Sequence, residues 1–424
     1  LLPINFYFAN IFYLKYFMPP LISTPKKTLH FVYLLCCAFL MLAAASCFSK
    51  NNGNTNATDT TLIQLPAPGT LTAGETERLE KGCTAWYEGE LKNSGFNGGM
   101  LVAQKGNIVF EQYKGTAHLN GQDTITANTP FHIASVSKTF TATAVLQLWQ
   151  QGRLDIDDEL GKYFPEFNYK NVTIRQLLNH RSGLPNYVYF MEEAGWNKKK
   201  YISNSDVLDY LIHKKNQLKN IGVPGRSFTY CNTNYALLAL LVEKVTGKKF
   251  AAYMQETFFE PLQMAHSFVF DTAMAQQVSP SYDWRGDMIP FNFLDAVYGD
   301  KNIYSTPRDL LVWDRALSSK KILNDSILQQ AYTPYSNEKP GIRNYGLGWR
   351  MNIYPSGKKM IYHNGWWHGN NASFIRLIDE DATIIVLGNR YTRAVYHAKD
   401  LVNLFSKYFE SDEEEEGSGG QGRR

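Results

Sequence analysis

The sequence predicts an α+β fold in which an antiparallel sheet is built from both chain ends, flanked by helices, with an all-helical lobe inserted between them. Three observations carry this expectation. Apolar β-type runs occur early, they return only near the end, and the long middle keeps helical spacing. No internal repeat or linker-like stretch divides residues 76–409, so one domain is expected, with the lobe at about 153–330.

The elements follow in order. ETERLEKGCTAWYEGELK has helix-forming residues throughout, and GMLVAQKGNIVFEQYKG then reads as two strands turning at Lys105-Gly106. Residues 136–151, VSKTFTATAVLQLWQQ, form an apolar helix that should be buried and that stops at Gly152. VTIRQLLNH, SNSDVLDYLIHKK, NYALLALLVEKVTG and TPRDLLVWDRALS supply the helices of the middle, joined by turns containing Pro and Gly. YGLGWRMNIY, KKMIYHNG and ASFIRLIDEDATIIVLGNR read as successive strands, the last two turning at Glu380-Asp381, before a closing helix at about 393–409.

Composition limits the functions that such a domain can have. With 44% hydrophobic and 14% aromatic residues, the 424-residue chain can fill a large core, which excludes disorder as its main state. A net charge of +4, from 43 basic and 39 acidic side chains, is too balanced for a dedicated nucleic-acid binder. The five cysteines, at Cys36, Cys37, Cys47, Cys83 and Cys231, show neither zinc spacing nor a disulfide framework. Cys83 and Cys231 are expected to be free, and no metal or organic cofactor is expected.

The beginning reads as an address. Lys26 and Lys27 precede FVYLLCCAFLMLAAAS, an uncharged run too short to serve comfortably as a permanent span. Ala44, Ala45 and Ser46 then lead into Cys47, which resembles a bacterial lipobox. Residues 1–47 are therefore expected to be a signal peptide with Cys47 as lipid anchor, and 1–17, which precede Met18, to be upstream translation. Residues 48–75 are expected to form a flexible tether and 410–424 a disordered acidic tail. The expected location is the periplasmic face of a bacterial membrane, as a lipoprotein, with secreted or soluble periplasmic protein as the alternative.

Chemistry must come from the body. Phosphate loops, dinucleotide fingerprints, H-E-x-x-H and the G-x-S-x-G elbow are absent from the sequence. Ser-x-x-Lys occurs at Ser23, Ser135, Ser318, Ser336 and Ser356, and only Ser135 opens a long apolar helix, with Lys138 one turn on. A serine hydroxyl needs an adjacent proton partner to become a nucleophile, and a lysine in an apolar helix can serve. At a helix start the Ser135 N–H is also free to stabilise an oxyanion. Taken alone, a serine cap with a solvent-facing lysine remains open.

The string FHIASVSKTFTATAVLQLWQQGRLDIDDELGKYFPEF, followed by VTIRQLLNHRSGLPNY, resembles the serine β-lactamase and penicillin-binding-protein family, with the class C branch and its related esterases and D-amino-acid peptidases most alike. The family's second element, Tyr-x-Asn, matches Tyr230-Cys231-Asn232 in PGRSFTYCNTNYALLALLVEKVTG, and Tyr335-Ser336-Asn337 is a decoy in another setting. Its third, Lys/His-x-Gly on a strand, matches His363-Asn364-Gly365. GDKNIYSTPRDLLVWDRAL is a further family-like stretch, and the likeness spans about 76–409.

The resemblance implies the β-lactamase/transpeptidase-like fold with the site between sheet and lobe. It makes Ser135 the acylated nucleophile, Lys138 its proton partner and Tyr230 the group that activates serine and later water. Asn232 would hold Lys138 and the substrate amide, and the backbone N–H groups of Ser135 and Trp366 would form the oxyanion site. His363, Asn364 and Gly365 would bind substrate. Many relatives carry lysine where this chain has His363, and an unperturbed histidine is mostly neutral at pH 7. A substrate carboxylate should then be held less strongly, with the imidazole donating a hydrogen bond instead. Trp366, Trp367, Tyr187 and Tyr189 are candidates for an aromatic cleft wall.

The expected function is hydrolysis of an ester or amide in a small-molecule or peptide substrate, a D-amino-acid peptide or small ester at the cell envelope, by a monomer without nucleic-acid partners. A true β-lactamase is the second expectation. A slowly deacylating or non-catalytic envelope binding module is the third.

Overall fold

The computed structural model describes residues 61–119 and 121–409. Residues 1–47, expected as a signal peptide with Cys47 as anchor, residues 48–60 of the expected tether and the expected tail at 410–424 lie outside the described residues.

Strands β1 (Gly98–Gln104) and β2 (Asn107–Lys114) form the expected hairpin, with Lys105 and Gly106 both at positive φ in its turn. Short strands follow: β3 (Phe131–His132), β4 (Phe268–Val269), β5 (Ser281–Tyr282), β6 (Met288–Ile289) and β7 (Ile303–Ser305). The late strands are β8 (Arg343–Tyr345), β9 (Arg350–Ile353), β10 (Lys359–Trp367), β11 (Asn370–Leu377) and β12 (Ala382–Gly388). The main sheet runs β2-β1-β12-β11-β10-β9-β8, so the last strand pairs antiparallel with the first, Gly98 opposite Gly388 and Gln104 opposite Ala382. Both chain ends thus meet in one sheet.

The helices are α1 (Ala73–Trp86), α2 (Ser137–Gln150), α3 (Ile174–Leu178), α4 (Tyr187–Glu193), α5 (Asn204–His213), α6 (Asn232–Thr246), α7 (Phe250–Met254), α8 (Pro307–Ser318) and α9 (Asp325–Ala331). Alternation along the central strands divides the core into two layers. Ile384 and Val386 join Leu79 and Cys83 of α1 on one face, whereas Ile385 and Leu387 join α2 and α8 on the other. Because both faces are covered, the ATIIVLG run is buried throughout and does not alternate apolar with polar residues. At the join with α8, Arg376 of β11 and Asp314 form a buried ion pair.

Three expectations need correction. Residues 61–72 are not free tether: Ile63 N–H donates to Pro261 O and Gly69 N–H to Lys105 O, each at 2.8 Å, and Ile63 and Leu65 pack on the core. Helix α1 then starts at Ala73, inside the span expected as tether, because Thr72 and Glu75 form a reciprocal capping box. The lobe is not all-helical, since β4 pairs with β7, and β7 also pairs with β3 of the segment before Ser135. The closing helix is a 3-10 helix over Arg393–Leu404 that stops short of 409. Its buried Val395, Ala398, Leu401 and Val402 share the α1 face of the sheet.

Candidate active site

Ser135 lies in a 3-10 turn, Ala134–Val136, that runs directly into α2. Ala134 has a φ of 48°, and its N–H donates to His132 Nδ1 at 3.1 Å, which fixes the bend before the serine. One turn along, in α2, the fully buried Lys138 ammonium donates to Ser135 Oγ at 3.1 Å and to Asp300 O at 2.7 Å. The rival solvent-facing lysine is thereby excluded. The other described Ser-x-x-Lys serines sit elsewhere: Ser318 Oγ accepts from Arg376, Ser336 N–H donates to Asn344 Oδ1, and Ser356 Oγ donates to Tyr408 O.

The Asp300 carbonyl is placed by the chain around it. Gly299 has a φ of 91°, and a Cβ there would stand 2.5 Å from Tyr235 O, so this close approach to α6 requires glycine. Thr141 Oγ1 donates to Gly299 O, and Ile303 N–H donates to Ser137 Oγ, which lays 299–303 along α2. The Asp300 carboxylate accepts from Tyr187 Oη at 3.0 Å, and Lys301 donates to the same hydroxyl at 2.5 Å. Tyr187 is therefore buried behind the site and is not part of a cleft wall. Trp367 is likewise tied inward, its indole N–H donating to Asp295 at 2.6 Å. Tyr189 and Trp366 are exposed.

Tyr230 sits on the loop leading into α6, and Asn232 is the first residue of that helix. Between them Cys231 turns inward, free and buried, its N–H donating to His180 Nδ1 at 3.1 Å. Burial pushes the Cys231 thiol up to about 11 and that of Cys83, also free, up to about 12. The Tyr230 ring has Lys138 Nζ 5.0 Å from its centre and the Arg350 guanidinium carbon at 4.8 Å. The expected hydrogen bond from Lys138 to Asn232 is replaced by that to the Asp300 carbonyl, leaving Asn232 Oδ1 buried without a partner among the described residues. The decoy Tyr335 is occupied with Gln330 and Arg175, away from these groups.

Strand β10 brings the third element against the Ser135 turn. A Cβ on Gly365 would lie 2.3 Å from Ile133 O and 3.1 Å from Ser135 N, so the strand and the serine turn touch only because residue 365 lacks a side chain. Trp366, next along, pairs with Asn371 of β11. Asn364 Oδ1 is buried without a partner among the described residues.

His363 departs from expectation. Its Nδ1–H donates to Asn364 O at 2.8 Å, and its Nε2 accepts from Tyr345 Oη at 3.1 Å, so both ring nitrogens are engaged and the side chain is fully buried. It has no hydrogen left to offer a substrate. Burial, with Arg350 and Lys138 nearby, holds its imidazole well below the ordinary histidine range. The fixed charge on this side belongs to Arg350, which the sequence reading did not single out. No hydrogen-bond partner engages its guanidinium among the described residues, and the residue is only half-buried.

Three buried histidines make the fold sensitive to acid. Burial lowers His132 to about 4 and also holds His180 well down. A histidine with a depressed folded pKa favours the native state above its unfolded value near 6.5, and that stability is lost as pH falls toward the folded value. His132 alone accounts for roughly 3 kcal/mol between pH 6.5 and 4. Thermal unfolding should give a flat Tm from pH 7 to 8 and a progressive fall below 6.5, shallower in His132→Gln. An unchanged Tm at pH 5 would contradict this.

The fold and site together define a serine hydrolase with a Ser-x-x-Lys centre. Residues 84–408 match the family described as Beta-lactamase, and the chain belongs to that family. It is 30% identical to Penicillin-binding protein 4* of Bacillus subtilis (strain 168) over 341 residues, covering 75% of this chain and 74% of that one. It is 28% identical to Protein flp of Staphylococcus aureus (strain N315), covering 68% of this chain but only 59% of that protein's length. Its fold is similar to that of a D-stereospecific amidohydrolase from Streptomyces sp., with a TM-score of 0.59 at 23% identity, covering 78% of this chain and 98% of that one.

Proposed function

We propose that the chain is an exported hydrolase of the class C-like branch, forming an acyl-enzyme on Ser135 and cleaving an ester or amide in a D-amino-acid peptide or small ester at the cell envelope. The observation that carries this reading is the 3.1 Å contact of Lys138 Nζ with Ser135 Oγ, made while the Asp300 carbonyl holds the same ammonium. Because Lys138 donates to Oγ, the proton of Ser135 must pass to another group, and Tyr230, whose ring lies against Lys138, takes it in the phenolate form, becoming the phenol that later returns it. Oγ then bonds to the carbonyl carbon, and the N–H groups of Ser135 and Trp366 take up the oxyanion charge. When the tetrahedral centre collapses, the C–O or C–N bond breaks and the leaving group receives the proton from Tyr230. Water repeats the sequence on the acyl-enzyme, releasing the acid and restoring the serine.

Substrate choice follows from charge. His363, buried and neutral, cannot clamp a carboxylate, which counts against efficient β-lactam turnover. Arg350, beside Tyr230, can hold a carboxylate on the leaving-group side, as a peptide C-terminus would present it. Similarity to Penicillin-binding protein 4* and to a D-stereospecific amidohydrolase is in keeping with peptide or amide substrates.

A fluorophosphonate probe tests the reading. Labelling should occur in the wild type, vanish in Ser135→Ala, and move from the membrane to the soluble fraction in Cys47→Ala. Labelling that survives in S135A would sink the nucleophile assignment, and a membrane signal that survives in C47A would remove the anchor. Rates on p-nitrophenyl esters, D-Ala-D-Ala peptides and a chromogenic cephalosporin then rank the substrates. A faster cephalosporin would reverse the order proposed.

A further inference from the structure

We propose that His180 is the positioning residue for Tyr230, an inference that rests on the proton-carrying role given to Tyr230 above. His180 stands outside the three motifs, at the end of VTIRQLLNH, yet it holds the Tyr230 loop on both sides. Its carbonyl accepts from Thr229 N–H at 2.9 Å, and its Nδ1 accepts from Cys231 N–H at 3.1 Å. The backbone N–H groups of the residues on either side of Tyr230 are thus tied to a single residue.

The ring completes the clasp. It is fully buried, with its centre 4.4 Å from that of Tyr230, 4.8 Å from Tyr345 and 5.2 Å from Tyr235. Those aromatic walls fix the plane against which the catalytic phenol rests. Because Nδ1 accepts, the proton lies on Nε2, and that N–H is buried without a partner among the described residues. The residue also has a φ of 59°, in the left-handed region that residues other than glycine seldom occupy. An unpartnered donor and a strained backbone both oppose stability. What they secure is an acceptor and a ring in register with Tyr230, an arrangement that serves a positioned phenol and that packing alone does not require.

The test separates positioning from stability. Asparagine tolerates the left-handed backbone and offers an acceptor oxygen, whereas alanine offers none. With a p-nitrophenyl ester, His180→Ala should lower kcat at least tenfold with KM within about threefold, and His180→Asn should recover most of the loss. If H180A does not fold, His180→Gly suits the same backbone and takes its place. In a Tyr230→Phe background the same substitution should cost less than twofold, because the effect passes through Tyr230.

A readout free of turnover is 3-fluorotyrosine placed at position 230. Its fluorine resonance should be single and shifted from that of free fluorotyrosine in the wild type and H180N, and should collapse toward the free value in H180A or H180G. Equal losses in the wild-type and Y230F backgrounds, or an unmoved fluorine resonance, would overturn the proposal. Absence of any Ser135-dependent rate, with the fluorine shift still dependent on His180, would instead remove the hydrolase reading and leave the clasp standing.

Discussion

Lys138→Ala is expected to lower kcat for a p-nitrophenyl ester by on the order of 10³-fold, with the chain still folded. The ammonium is fully buried and divides its hydrogen bonds between the nucleophile and the Asp300 carbonyl, so nothing else described donates to Ser135 Oγ. Truncation removes that donor and leaves a buried carbonyl unpartnered, at a cost of about 1–3 kcal/mol. Lys138→Met keeps the volume and should be equally slow. Lys138→Arg keeps the charge, but its planar fork does not fit a site shaped for a compact ammonium, so it should not rescue. Stopped-flow acylation with a parallel thermal melt reads both effects. A K138A rate within tenfold of wild type, in a folded protein, would show that the hydrogen bond from Lys138 to Ser135 Oγ does not drive the reaction.

Asp314→Asn should destabilise the domain by about 3–5 kcal/mol. Arg376 is fully buried in β11, with its Nε donating to Asp314, one Nη to Tyr332 Oη and the other to Ser318 Oγ at 2.9 Å. Asp314 in α8 also accepts from Thr383 Oγ1 of β12 at 2.6 Å. Neutralising the carboxylate leaves a guanidinium without its counter-charge in the layer that joins α8 to the sheet. The double substitution D314L/R376M should lose less than D314N, because it removes the desolvation penalty of both charges. Urea unfolding measures each, and a loss below about 1 kcal/mol in D314N would refute the argument.

Much of this was legible in the sequence, for identifiable physical reasons. The hairpin, the buried helix after Ser135 and the late strands announce themselves through periodicity and through turns at Lys105-Gly106 and Glu380-Asp381. Ser135, Lys138 and Tyr230 could be chosen because their neighbours, rather than the short motifs, separate them from the decoys at Ser318, Ser356 and Tyr335. Asp300 could not be read in the same way, since a backbone carbonyl has no side-chain signature. His363 misled because a motif reports residue type and not direction, and only the fold shows Tyr345 and Asn364 occupying its ring. Arg350 was missed because it follows a strand pattern without belonging to any motif. The tether was drawn too long because composition outweighed a capping box at Thr72 and Glu75.

The pairing of β1 with β12 also governs how the domain comes into being. During synthesis the hairpin β1–β2 emerges early and presents an open edge until Ala382–Gly388 arrives, after almost all of the domain has been made. Helix α2, which carries Lys138, depends on that same late closure for one of its covers, since Ile385 and Leu387 of β12 share its layer. Long-range closure of this kind places folding toward the slow end for a domain and gives no early half that is stable alone. The surroundings of Ser135 are therefore completed late, when the chain is already committed to one topology, and a nascent or truncated chain carries the Ser-x-x-Lys motif without its final setting.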